Sequence, residues 1–129
     1  MNERRSRREY AREVACMIHV DGREYCIDPV GGVMALLGKK WTLPLVGVLG
    51  NRPSSRFNEL RDSIAGMGSK ALAERLKELQ ALGLVDRKLY AEVPARVEYK
   101  LTDRGLALRR GLVPLLSWAT EEGDKKRSG

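Results

Sequence analysis

RFNELRDSIAGMGSKALAERLKEL, residues Arg56 to Leu79, carries an amphipathic helical pattern that stops at Gly66-Met67-Gly68 and restarts at Ser69. Before the stop, Phe57, Leu60 and Ile64 share one side at i, i+3 and i+7. After it, Leu72, Leu76 and Leu79 share another, with Leu82 extending the stripe. A single straight helix would bury the same leucines at less backbone cost, so the break sets an angle between two helices. Glycines tolerate positive φ, Ser54-Ser55 and Ser69 are the expected N-caps, and Gly83 closes the second helix at its C′ position. Two short helices around such a turn make either a helix-turn-helix or a plain αα-corner. The flanking sequence decides between them.

Downstream, Leu84 to Tyr90 alternates in part, and Ala91 to Ala95 is a loop. Arg96 to Leu101 then alternates cleanly, with Val97, Tyr99 and Leu101 inward and Arg96, Glu98 and Lys100 outward. A β-hairpin directly after the second helix is the order of a winged helix-turn-helix. Thr102 should cap a last helix with Asp103 in its first turn, where the macrodipole favours an acid. Its apolar residues (Leu106, Leu108, Leu112, Val113, Leu115, Leu116, Trp118) nearly encircle the axis. One small core cannot cover such a helix, so the rest calls for a second copy of the chain. Upstream, Val33 to Leu49 has helical spacing that Pro44 should kink or subdivide. Asp21-Gly22 between two β-prone runs predicts a hairpin with a type I′ turn.

The chain has 129 residues, 43% hydrophobic and 32% charged, which suits one soluble domain with short appendages. No apolar run approaches a membrane span. The charged start MNERRSRREY lacks the apolar stretch of a signal peptide, so the expected location is cytoplasmic. Residues 35 to 101 hold twelve Lys and Arg against seven acids, +5 of the formal +7. Such a surface attracts polyanions, although solubility alone would also account for it.

In this order, Gly38-Lys39-Lys40-Trp41, Arg56-Phe57-Asn58-Glu59-Leu60, Lys70 with Leu72, Leu76 with Leu79, Gly83-Leu84-Val85-Asp86-Arg87, Pro94 with Val97-Glu98-Tyr99, and Leu101-Thr102-Asp103-Arg104-Gly105 resemble the HxlR family of bacterial and archaeal transcription regulators. The resemblance runs from about Pro29 to Trp118. It implies a mainly α fold with a small β-hairpin: a winged helix-turn-helix domain with N- and C-terminal dimerisation helices, binding DNA as a dimer. Many family members carry a cysteine immediately before the proline that is here Pro29, and in several it is the redox or electrophile sensor. This chain has Asp28 there, and its nearest cysteine is Cys26. The expected organisation is an N-terminal extension (1–28: basic segment plus hairpin), the winged domain with its dimerisation helix (29–122) and a charged tail (123–129).

At 100° per residue, Lys70, Glu74, Lys77 and Ala81 oppose the leucine face of the second helix. Lys70 and Lys77 are the leading groove contacts, and Arg75 on the flank could reach a phosphate. Ser69 and the first-turn amides suit a phosphate oxygen. Glu74 either accepts from a cytosine amino group or pairs with Lys70 or Lys77 one turn away. Arg56 suits a backbone phosphate, and Lys88 and Arg96 flank the wing loop, where phosphate or the minor groove lies within reach. Arg87 falls on the inward register, where an ion pair with Glu98 is the rival reading. Phe57, Trp41 and Tyr99 belong to apolar stripes rather than to a stacking platform. Dimerisation is assigned to Leu108, Leu112, Leu115, Leu116 and Trp118.

Cys16, His19 and Cys26 invite a zinc reading. A two-residue turn at Asp21-Gly22 sets Cys16 opposite Ile27 and Met17 opposite Cys26, so the thiols face opposite sides of the ribbon. Neither a metal nor an intrachain disulfide is expected, and Cys16 and Cys26 stay as redox candidates acting between subunits. No cofactor is expected. No constellation for catalysis appears, so the chain is read as a regulator and not an enzyme. Its expected partners are double-stranded DNA and a second copy, with no membrane and with a small-molecule or redox effector left open. The rival class is a protein-interaction adaptor on the same fold, which need not be retained on heparin or random duplex DNA. A structured-RNA binder fits less well, since no aromatic platform is visible.

Overall fold

The computed structural model describes residues 16–28 and 31–128. The basic segment at residues 1–13 and the stop at Pro29 lie outside the described residues. The chain divides into two compact units, residues 1–39 and 40–129.

In the first unit, β1 (Cys16–Val20) pairs antiparallel with β2 (Arg23–Ile27), and α1 (Gly32–Leu37) follows. Asp21 (φ 50°) and Gly22 (φ 75°) are both left-handed, as a type I′ turn demands. The register is the one read from sequence, Cys16 opposite Ile27 and Met17 opposite Cys26. His19 lies opposite Glu24, with its Nδ1 3.4 Å from the carboxylate.

The second unit contains α2 (Thr42–Leu49), β3 (Ser55–Arg56), α3 (Phe57–Ser63), α4 (Ser69–Ala81), β4 (Val85–Tyr90), β5 (Arg96–Leu101) and α5 (Asp103–Ser128). The three strands form an antiparallel sheet in the order β3-β5-β4. This is a winged helix-turn-helix. Leu45 and Leu49 of α2, Leu60 of α3, and Leu72, Leu76 and Leu79 of α4 are each at most 1% exposed. Burying each such leucine stabilises the fold by roughly 1.5–3 kcal/mol. Val46, Ile64, Met67, Leu84, Val85, Leu101 and Leu112 also belong to this core.

Several local expectations are corrected. The helix predicted over Val33 to Leu49 is two helices, parted not at Pro44 but at Gly38 to Trp41, where Trp41 turns left-handed (φ 79°). Pro44 sits in the first turn of α2, where its missing N–H has no intrahelical bond to forfeit. Ser55 does not cap α3. It is a buried strand residue opposite Tyr99, and the N-cap is Arg56, whose amide donates to Glu59 Oε1 at 2.8 Å. Ser69 does not cap α4 either, since the N-cap is Gly68 and no side chain caps it.

Of the two turn glycines, only Gly66 uses the left-handed region (φ 85°). A Cβ there would stand 3.3 Å from the Trp41 ring, and Met67 between the glycines is buried. The break thus drives one more apolar side chain into the core while redirecting the helix.

Candidate nucleic-acid interface

Thirteen residues make α4 about 20 Å long at 1.5 Å per residue, a length that fits along a major groove about 12 Å wide. Its leucine face is fully buried, while Ser69, Lys70, Ala73, Glu74, Lys77 and Ala81 are exposed. Among the described residues Lys70 and Lys77 meet no acid, so their charges are available outward. At the N-terminus, Arg61 Nη1 donates to Ser69 Oγ at 3.2 Å, bringing a guanidinium beside the unsatisfied first-turn amides. The leucine pattern of α3 gives no sign of this role for Arg61, because the bond reaches across the turn to the next helix.

Arg75 departs from its expected role. Its side chain is 15% exposed, it is ion-paired with Glu78, and its Nε donates to the Lys40 carbonyl at 3.3 Å. The guanidinium therefore braces α4 instead of meeting a phosphate. The far end of α4 is held as firmly. Gly83 and Leu84 amides donate to the Gln80 and Leu79 carbonyls at 3.0 and 2.9 Å, the paired bonds of a Schellman cap. Arg104 Nη1 donates to Leu82 O at 2.7 Å and Thr102 Oγ1 to Gly83 O at 2.7 Å. The same Thr102 hydroxyl accepts from the Gly105 amide at 3.1 Å and so caps α5, as expected.

Arg56 at the start of α3 and Lys88 in the wing are exposed, and Lys88 Nζ lies 4.8 Å from the centre of the Tyr90 ring. Arg96 is more constrained. It stacks on Tyr90 at 4.0 Å and pairs with Glu92 at 3.2 Å, so it shapes the wing before it can serve a ligand. Arg87 is exposed rather than inward, and it pairs with no acid among the described residues. It sits across from Tyr99 and shares with Glu74, Lys77, Gln80 and Tyr99 a hollow of about 480 Å³ between α4 and the wing. The inward expectation assumed that alternation from Val85 continues. Leu89, four residues on, is 58% exposed, so the strand has already left the core. Trp41, Phe57 and Tyr99 are half-buried.

Along α5, Leu112 is 7% exposed and belongs to the protomer's own core, which removes it from the expected dimer contact. Leu108 and Leu116 are half-buried. Arg109 ties α5 to α2 through Gly47 O (2.9 Å) and to the turn after α2 through Asn51 Oδ1 (2.8 Å). Leu115 and Trp118 are 52% and 60% exposed, and Leu106 and Val113 also face outward. No helix among the described residues is long and apolar enough to cross a membrane.

The HxlR-like helix-turn-helix family profile matches residues 36–127. Over 93 residues the chain is 40% identical to an HTH-type transcriptional regulator of Halalkalibacterium halodurans, spanning 72% of this chain and 82% of that protein. A possible HxlR family transcriptional factor from Thermoplasma volcanium superposes with a TM-score of 0.78 at 37% identity, covering 85% of this chain and 98% of its own. The reduced form of the transcriptional regulator YodB from Bacillus subtilis gives 0.59 at 39% identity, covering 66% and 82%.

Proposed function

This chain belongs to the HxlR-like helix-turn-helix family of DNA-binding transcription regulators, a non-enzymatic class, and from that premise we propose that it works as a homodimer on a pseudo-palindromic operator. The reading rests above all on α4, whose leucines are consumed by the core while Lys70 and Lys77 stand exposed with no acid beside them among the described residues. Two copies would set two α4 helices into successive major grooves, with half-sites about 10 bp apart or a multiple of that. Arg56, the α4 N-terminus at Ser69 and Lys88 supply phosphate contacts, and Arg87 joins Lys77 from the wing side. Leu115 and Trp118 provide the contact between subunits. YodB has been solved both reduced and diamide-treated. Thiol-based redox control of this chain would work through Cys16 or Cys26.

The test is binding of the full chain to its selected operator and to random duplex DNA across a salt series. Affinity should fall with a log–log slope of about −0.9 per phosphate neutralised. Replacing Lys70 and Lys77 together with alanine should weaken specific binding by about 1–3 kcal/mol for each base that is no longer read. A flat salt response would point to a partner other than nucleic acid. A double variant indistinguishable from wild type would mean that α4 does not enter the groove with this face.

A further inference from the structure

Four acids lie in the helix-turn-helix and its connecting turn: Glu59, Asp62, Glu74 and Glu78. Three of them are ion-paired within the protein, Glu59 with Arg52 at 2.6 Å, Asp62 with Arg61 at 3.7 Å and Glu78 with Arg75. Glu74 meets no cation among the described residues, although Lys70 lies four residues before it and Lys77 three after. It is exposed in the middle of the outward face of α4 and borders the hollow that Lys77 and Arg87 share. A carboxylate here is repelled by phosphates, and docking α4 into a groove would remove its water. A desolvated anion with no partner costs several kcal/mol unless a donor replaces that water.

The major groove offers few such donors. Guanine shows O6 and N7 and thymine shows O4, all acceptors that repel a carboxylate. Adenine pairs its N6 amino group with an acceptor at N7, whereas cytosine presents the N4 amino group as its hydrogen-bonding group. We propose that Glu74 is a base-selecting residue that accepts from the N4 amino group of one cytosine per half-site. Lys70 and Lys77, a turn to either side, are placed to donate to guanine O6 or N7 in the same or a neighbouring pair. A C·G pair is then read through a donor and an acceptor together. This inference rests on the DNA-binding reading above and adds to it a base identity.

The experiment is in vitro selection from a randomised duplex pool with the full-length protein, followed by competition binding on the enriched sites. Wild type should enrich cytosine at one symmetric position of each half-site. In Glu74→Gln that same position should change to adenine, because a glutamine amide matches adenine N6 and N7. In Glu74→Ala the cytosine preference at that position should fall by about tenfold, leaving only what a lysine contact to the paired guanine retains, with the other positions kept. A carboxylate that is merely solvated would leave no cytosine preference for Glu74→Ala to remove. Should both variants enrich the wild-type sequence, the assignment of Glu74 is overturned while the DNA-binding reading stands. Should wild type itself enrich nothing, the DNA-binding reading falls and the assignment with it.

Discussion

Glu59 serves two donors at once. One carboxylate oxygen accepts from the Arg56 amide at 2.8 Å at the start of α3, and the other meets Arg52 at 2.6 Å. The backbone hydrogen bond at Arg56, helped by the Arg52 charge, holds its pKa below the ordinary glutamate value of 4.5. A carboxyl whose pKa is lower in the folded chain contributes stability above its unfolded pKa and loses it as pH falls through the folded one. Wild type should therefore melt above Glu59→Ala at pH 7, and the gap should close as the pH is taken below 4.5. Thermal unfolding of both proteins along a pH series checks this, and a gap independent of pH would assign the difference to contacts of the Glu59 side chain that do not need its charge, since helix propensity alone favours alanine. At this scale the sequence was legible in part. It showed which cations share a helix face, but not that Arg75 is consumed by Glu78 and the Lys40 carbonyl. The bond to Lys40 depends on a residue 35 positions away, which no local periodicity encodes, whereas the Glu78 pair is a local i, i+3 contact that helical spacing alone could have offered.

Helices and strands were legible wherever a repeating apolar stripe met a stop signal. The Asp21-Gly22 hairpin, the two helices around Gly66 and the wing all fall where alternation or helical spacing put them. The exceptions are short or conditional. β3 has two residues and exists only because β5 lies beside it. Pro44 looked like an interruption, yet it is tolerated in a first turn. The start of α5 shows how a motif constrains its residue types. Gly105 is buried, and a Cβ added there would lie 2.1 Å from the Leu84 carbonyl oxygen and 3.0 Å from Leu101 Cδ2. The first of those obstacles is backbone and cannot rotate away. Gly105→Ala should consequently lower stability by about 1–3 kcal/mol through overpacking, despite alanine's better helix propensity. Denaturant unfolding measures it, and an unchanged midpoint would mean that α5 has room to retreat.

For the whole molecule, α5 divides its apolar residues between two duties. Leu112 belongs to the protomer's core, whereas Leu115 and Trp118 are over half exposed. The sequence could show that the helix was apolar almost all round, but not which side met its own core, because that is fixed by how Gly105 and Arg109 dock it. The division makes two truncations behave oppositely. Leu112→Ala should cost about 2–5 kcal/mol of protomer stability, as buried leucine truncations do. Leu115→Ser with Trp118→Ser should leave the protomer folded and move the sedimentation profile from dimer to monomer, with operator affinity falling as a result. A double variant that sediments as wild type would put the subunit contact elsewhere. The clamp made by Thr102 and Arg104 has a mechanical meaning here. The Thr102 hydroxyl both begins the long helix and holds the Gly83 carbonyl just behind the short one, while Arg104 holds the Leu82 carbonyl, so the two helices are coupled like a shaft and crank. A torque applied to α5 at a subunit seam would reach the exposed lysines of α4 through that joint.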